Sequence, residues 1–292
     1  MSEFERGDDE PLLTVAGLVK RFAGRRTLRQ AVTREAAPSV DAVDDVSFSL
    51  RRGQILGIAG ESGSGKSTTA RCITRLVEPD AGAIRFAGID VRAARGRALR
   101  DIRRRIQMVF QDPYASLNPR LSIGRAILEA GRVHRQLGDL APAEFVERQL
   151  DQVRLPHSFA QRRPRDLSGG PRQRVAIARA MATGPEIIVA DEAVSALDVS
   201  IQTEIVNLFL DLRDQHGLSI VFVSHQLPVL AGLADHLAVM QSGAIVEYGP
   251  TAEVFRSPRH PYTAALLAAH PQPEVAAPAG STPDQSDEKV GT

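Results

Sequence analysis

Short, almost continuous apolar runs alternate along this chain with longer stretches in which apolar residues recur every three or four positions. The runs read as buried strands and the longer stretches as helices, the pattern of an α/β domain. Gln54–Ala59, Ile106–Phe110, Ile187–Glu192 and Ser219–Ser224 are short buried strands. Leu12–Val19, Ala42–Leu50 and Ala83–Asp90 read as further strands, the last punctuated by Gly82 and Gly88. His236–Met240 and Ala244–Tyr248 read as a closing β pair around Gly243. Helices are predicted over Thr68–Leu76, Ile123–Leu137, Ala143–Leu155, Arg172–Met181 and Ile201–His216, with two short ones over Thr251–Arg256 and Pro261–Ala269. From Tyr114 to Arg165 the pattern is helical throughout, which makes this region a helical insert in the α/β core. Ala23–Ser39, basic and polar, reads as an inserted loop. Met1–Pro11 reads as a frayed tail and Pro271–Thr292 as disordered.

Composition changes this picture little. The 292 residues suffice for one large domain or two small ones. A formal net charge of +1 creates no field that argues for nucleic acid. Arginine is dense from Arg92 to Arg105, which reads as a solvated helix face. The one cysteine, Cys72, can form neither an internal disulfide nor a cysteine cluster, and reads as a packing residue. The acidic, polar N-terminus is unlike a signal peptide, and no apolar run approaches the ~18 residues of a membrane span. Contact with a membrane is therefore expected to go through a partner.

The strongest chemical signal is Gly60-Glu61-Ser62-Gly63-Ser64-Gly65-Lys66-Ser67-Thr68, which fits G-x-x-x-x-G-K-[ST]. It lies between a predicted strand and a predicted helix, the context that the motif requires. Gly60, Gly63 and Gly65 permit backbone conformations closed to other residues, so that successive N–H groups can turn inward as an anion nest. The helix that follows adds its positive end. Lys66 would reach the β- and γ-phosphates, and the Ser67 hydroxyl would bind Mg²⁺.

Other candidates carry two readings each. Gln111 ends a strand where ligands bind in α/β sheets, or it is an ordinary loop residue. Ser168, in Leu167-Ser168-Gly169-Gly170-Pro171, caps the next helix, or this helix start binds a second anion. Asp191 and Glu192 end an apolar strand; beside a phosphate loop, Asp191 would hold Mg²⁺ and Glu192 would orient or deprotonate a water. His225 at a strand tip is structural or a hydrogen-bond partner of a γ-phosphate. Phe22 packs in a core or stacks on a base.

The order of these signals is more telling than any one of them. Phosphate loop, strand-end glutamine, helical insert, LSGG, IIVADE, SALD and strand-end histidine resemble the ATP-binding subunits of ABC transporters, over roughly residues 12–271. VFQDPYASLNPR (Val109–Arg120), DEAVSALDVSIQ (Asp191–Gln202) and SPRHPYTAALLAAHP (Ser257–Pro271) resemble the oligopeptide/dipeptide importer ATPases, the F-type subunit above the other type. The resemblance implies a P-loop NTPase fold: an α/β, RecA-like core with an antiparallel β subdomain and an inserted α-helical subdomain. The ATPase domain would span 12–256, with the insert at about 112–166, an extension over 257–271 and a tail over 272–292.

The same resemblance implies roles. Phe22 would stack on adenine. Gly60 to Thr68 would hold the phosphates, and Ser67, Gln111 and Asp191 would surround Mg²⁺. Glu192 would be the general base, Lys66 the phosphate cation and His225 the γ-phosphate sensor. Ser168, Gly169 and Gly170 would contact ATP on an opposing ATPase subunit, and Asp198 would link the two sites. Two permease subunits and, indirectly, a solute-binding protein would complete an importer of peptides, nickel or glutathione at the cytoplasmic membrane face. Two positions depart from the family: Pro171 stands where glutamine is usual, and Gln226 where aspartate is usual. The cysteine-free tail carries no expectation of an iron–sulfur cluster. The rival readings are a soluble, non-transport ABC ATPase and an ATP-binding subunit with a weakened composite site.

Overall fold

The computed structural model describes residues 10–23, 39–112 and 116–269. The expectations for the N-terminal tail, the inserted loop after Ala23, Pro113 and the C-terminal tail fall wholly or largely outside these residues. Ten strands form two sheets among the described residues. They are β1 (Leu13–Ala23), β2 (Ser39–Leu50), β3 (Ile55–Ala59), β4 (Ala81–Phe86), β5 (Ile89–Asp90), β6 (Ile106–Val109), β7 (Ile187–Asp191), β8 (Ser219–Val223), β9 (His236–Gln241) and β10 (Ala244–Pro250). The helices are α1 (Lys66–Ile73), α2 (Gly96–Arg105), α3 (Ile123–Val133), α4 (Pro142–Gln152), α5 (Gly169–Met181), α6 (Val199–His216), α7 (Leu227–Ala231), α8 (Thr251–Arg256) and α9 (Pro261–Ala268).

The larger sheet has the order β10-β9-β3-β8-β7-β6. Its strands run parallel except for β10, which pairs antiparallel with β9 at one edge. Every residue of β3, β7 and β8 is buried, as expected of parallel strands covered on both faces. Their side chains alternate between two cores, because successive residues point to opposite faces. Ile188, Ala190, Ile220 and Phe222 join the core beneath the long helices. Ile187, Val189, Val221 and Val223 join a second core, shared with α1 and the smaller sheet. That smaller sheet is antiparallel, of order β2-β1-β4-β5.

Between β6 and α5 lie α3, α4 and two short 3₁₀ turns. The Ser122 hydroxyl caps α3 by accepting the Arg125 N–H at 3.3 Å. α6 ends at Gly217 in the left-handed conformation, φ 62°. Among the described residues no helix is long and apolar enough to cross a membrane.

Two expectations need correction. Ala83–Asp90 is not one strand. The chain reverses at Ala87-Gly88, both at positive φ (47° and 79°), and pairs Phe86 with Ile89. Two consecutive positive φ values make the tight turn whose twist suits a hairpin. Nor is the arginine-rich stretch purely a solvated face. Arg105 turns inward from the end of α2, stacks 4.5 Å from the centroid of Phe86 and bonds Glu186. Glu186 also receives Arg52 at 3.0 Å. Arg92 reaches the carbonyl of Gly82. These arginines tie the smaller sheet and the start of β7 together.

Burial works against the charge on Glu186, but Arg105 and Arg52 hold its carboxyl below the usual range. A carboxylate depressed in the folded state stabilises above its unfolded value, near 4.3, and loses that contribution as pH falls through the folded value. Glu186→Gln should therefore lower the melting temperature at pH 7 by roughly 2–4 °C, corresponding to about 1 kcal/mol for a partly buried pair. The difference from the parent should shrink below about pH 4; an equal deficit at pH 3 and pH 7 would refute the assignment. Burial also pushes the thiol of Cys72, fully enclosed in α1, up to about 11. At pH 8 only about one part in a thousand is then thiolate. The native chain should resist a thiol reagent that labels the denatured chain within minutes, and stoichiometric labelling of native protein would contradict this packing.

Candidate functional site

The sheet order sets the site. β3 lies between β9 and β8, and β8 lies beside β7. All four are parallel, so their C-terminal ends share one edge, where ligands bind in such sheets. The loop after β3, the acids at the end of β7 and His225 after β8 meet there.

The loop is held from behind. Gly60 and Gly65 have φ of 144° and 103°. A Cβ on Gly60 would come within 2.3 Å of the Met240 carbonyl, and one on Gly65 within 2.2 Å of the Ala42 carbonyl. Only glycine permits such close approach. The Gly243 N–H donates to the Ser64 carbonyl at 3.0 Å. α1 then starts with neither a side-chain cap nor an acidic residue in its first turn, so its positive end is left to an incoming anion.

Lys66 is 3% exposed. Its ammonium donates to the carbonyls of Gly60 (2.7 Å) and Glu61 (2.6 Å) and to Ser64 Oγ (3.4 Å). Burial lowers its pKa, against the pull of Glu192, Asp191 and Glu61. Ser67 Oγ donates to Asp191 Oδ1 at 2.7 Å, which joins the loop to the tip of β7. Burial raises the Asp191 carboxyl; the Ser67 bond and the cations Arg71 and Lys66 counter it. Ser67 and Asp191 thus offer two adjacent hard oxygen donors, suited to Mg²⁺. No group of three or more His, Cys, Asp or Glu able to hold a metal occurs among the described residues. The donor set fits an ion that takes its other ligands from phosphate and water.

Glu192 leaves the strand at φ 50°, a left-handed conformation that costs about 1–2 kcal/mol for a residue with a Cβ. Its N–H still donates to the Val223 carbonyl at 3.0 Å, and its own carbonyl accepts the Ser195 hydroxyl at 3.0 Å. The side chain swings out of the sheet and brings Oε2 to 3.3 Å from His225 Nδ1. Lys66, Ser67, Asp191, Glu192 and His225 therefore gather at one edge of the sheet.

The remaining candidates stand around it. Gln111 is exposed, two residues beyond β6, whose Val109 pairs with Ala190. Phe22 lies near the end of β1, 44% exposed, with Lys20 Nζ 5.5 Å from its ring centroid. It is therefore not a core residue. Ser168, Gly169, Gly170 and Asp198 make a second surface where α5 and α6 begin. A Cβ on Gly170 would come within 2.7 Å of Ile201 Cγ2, so the two helix starts are in close contact. Ser168 and Asp198 are exposed at these starts, beside Val199 at 78% exposure.

Ser168 departs from its expected role as a side-chain cap. Its carbonyl accepts the Arg172 N–H at 3.1 Å, but its hydroxyl makes no capping bond. A capping hydroxyl bonds the N–H two or three residues on, and the third residue here is Pro171, which has none. Sequence reasoning also misses one neighbour of the loop. The Glu61 N–H donates to the phenol oxygen of Tyr262 at 3.1 Å. No local pattern announces a contact between residues 201 apart.

A family model described as "ABC transporter" matches residues 43–195. A second, described as "Oligopeptide/dipeptide transporter, C-terminal region", matches 246–291. The glutathione import ATP-binding protein GsiA of Escherichia coli (strain K12) is 49% identical over 278 residues, covering 95% of this chain and 44% of the relative. GsiA of Pectobacterium atrosepticum is 47% identical over 262 residues, covering 90% of this chain and 41% of the relative. The chain thus spans less than half the length of these curated relatives. Among solved structures, the dimeric post-hydrolysis state of the ATP-binding cassette MJ0796 with ADP and Pi superposes with a TM-score of 0.69 at 26% identity, covering 82% of this chain and 98% of that one. cbiO1 of Clostridium perfringens, part of the ABC transporter complex cbiONQ, shares the fold with a TM-score of 0.71 at 24% identity, covering 85% and 92%.

Proposed function

The chain belongs to the ABC transporter family of ATPases, with the C-terminal region of its oligopeptide/dipeptide branch, and from that premise we propose that it binds and hydrolyses ATP to drive an importer of small peptides or peptide-like solutes. The observation that carries this reading is the cluster gathered at the sheet edge: Lys66 in its loop, Ser67 on Asp191 at 2.7 Å, and Glu192 against His225 at 3.3 Å. Glutathione, named for the GsiA relatives, is itself a tripeptide, so the two solute classes overlap in chemistry.

Each residue has a task that its surroundings support. The loop amides from Gly60 to Thr68, apart from the Glu61 N–H that Tyr262 takes, and the start of α1 receive the phosphates, and Phe22 offers an exposed ring to the base. Lys66, already desolvated, offsets the charge that builds on the transferred phosphoryl group. Mg²⁺ would be held by Ser67, Gln111 and Asp191, and when bound it neutralises phosphate charge. Glu192 orients and deprotonates the attacking water, and His225 bonds the γ-phosphate beside it.

The exposed Ser168 and Asp198, over the glycines that pack α5 onto α6, suit contact with ATP held by a second ATPase subunit. A groove of about 920 Å³ between α2 and the helical insert suits a partner helix. It is lined by Arg100, Arg104, Leu121, Ala130 and Val133. In this reading two permease subunits occupy such grooves, a solute-binding protein delivers the solute to them, and the chain works peripherally at the cytoplasmic membrane face.

Lys66→Ala should lose at least tenfold in ATP affinity. Glu192→Gln should keep ATP binding and lose about 10²–10⁴ in hydrolysis, the range for a general base. Phosphate release from Mg²⁺-ATP, alone and with a partner ATPase subunit, checks both; parental turnover in Glu192→Gln would refute the assignment. The missing donor at Pro171 favours a second reading, a composite site weakened on this subunit's side. Pro171→Gln restores one N–H to the start of α5 and should raise turnover of the paired subunits two- to tenfold, about one hydrogen bond. No change in the paired rate would dismiss that second reading.

A further inference from the structure

The C-terminal region folds back onto the phosphate loop, and three contacts fix how it does so. Glu247 on β10, 9% exposed, accepts the backbone N–H groups of Arg259 (2.8 Å) and His260 (3.1 Å). Burial disfavours its charge, yet these donors hold its carboxyl below the usual range, so the acceptor stays ionised and strong. The ring Nδ1 of His260 then accepts the Tyr262 N–H at 3.2 Å and caps α9. One turn on, Leu266 and Leu267 are buried in the core beneath the long helices. α9 is thus fixed at its start and along its inner face.

From this anchored turn Tyr262, itself half-buried, presents its phenol oxygen to the Glu61 N–H at 3.1 Å. Glu61 is thereby held from both ends. Its N–H is taken by Tyr262, and its carbonyl by the Lys66 ammonium at 2.6 Å. The two bonds differ in what an incoming phosphate does to them. An anion competes for the ammonium and loosens the carbonyl bond. The phenol bond withdraws the Glu61 N–H from the amides that receive the phosphates, so it remains to keep the loop entrance in place when Lys66 changes partner.

We infer that Tyr262 is a positioning residue for the nucleotide, its phenol holding the entrance of the phosphate loop open and tying it, through α9 and Glu247, to the C-terminal region. This rests on the reading of the loop as an ATP site. The C-terminal region is then part of the nucleotide site's support and not an appendage behind it. Loss of the phenol oxygen leaves Lys66 free to draw the Glu61 peptide inward, and ATP must first reopen the loop. The cost falls on binding and not on the chemical step, which the groups at β7 and β8 perform.

The test is Tyr262→Phe in the full chain, which keeps the ring and removes the one hydroxyl. The dissociation constant for Mg²⁺-ATP, followed with a fluorescent ATP analogue, should rise about three- to tenfold, the range of one hydrogen bond. KM should rise with it while kcat changes by less than about twofold. Exchange of the Glu61 amide should quicken, with protection in α9 retained. Tyr248→Phe is the control. Its hydroxyl bonds the Ser49 carbonyl at 3.3 Å and not a loop residue, and its loss should leave the constant unchanged. An unchanged constant in Tyr262→Phe overturns the inference, whatever the exchange rate. A raised constant accompanied by a matching fall in melting temperature and loss of protection throughout α9 also overturns it, because the tyrosine is then structural. If the parent chain itself binds no ATP analogue, the ATP reading fails together with this one; if the parent binds and Tyr262→Phe binds equally, only this one fails.

Discussion

Adjacency in a parallel sheet is the constraint on which the site depends. Ser67 and Asp191 stand 124 positions apart, yet their side chains meet at 2.7 Å. They meet because β3, β8 and β7 are neighbours pointing the same way. Parallel neighbours end at one edge, so whatever follows each strand is delivered to the same place. The long helices that join them are the means of returning the chain to the starting edge. The buried β3, β7 and β8, with side chains divided between two cores, leave little freedom to slip in register. The positions of Lys66, Asp191, Glu192 and His225 inherit that rigidity.

The electrostatics of this edge have a consistent direction. Burial lowers the ammonium of Lys66 and raises the carboxyl of Asp191. Both groups are pressed toward neutrality, and both are held back by their neighbours of opposite sign. A low-dielectric site with charges already in place needs little rearrangement when more charge arrives. A magnesium-bound triphosphate, on the reading proposed above, brings a cation to Asp191 and anions to Lys66, so each buried charge gains a further partner of opposite sign. Glu192 reaches its place by a backbone conformation unfavourable for a residue with a side chain, which sets it apart from the strand it terminates.

What was legible in the sequence was local. The strand, glycine loop and helix around Lys66 follow from composition and spacing within some twenty residues, and so do the apolar run ending at Asp191 and the helical period of the insert. The Ser168 hydroxyl's want of a capping partner could also have been read there, since Pro171 plainly lacks the donor. What stayed hidden was which segments lie side by side. Gly88 is the one local sign of a turn within Ala83–Asp90, and it does not outweigh a continuous strand until β1 is present as the pairing partner of β4. The arginines of α2 look alike in sequence. Only the third dimension separates Arg105, which lies over Phe86 and Glu186, from those left in water. Tyr262 belongs with them: its contact with Glu61 joins segments that share no periodicity.

The two glycines at the back of the phosphate loop bear on how the two sheets are joined. Gly60 lies against the carbonyl of Met240 in the parallel sheet, and Gly65 against that of Ala42 in the antiparallel one. Neither approach leaves room for a single carbon atom. The loop is a rivet through both sheets, and one sheet cannot pivot on the other without reshaping the cradle. A tilt of one sheet against the other would therefore press directly on the backbone that lines the cradle.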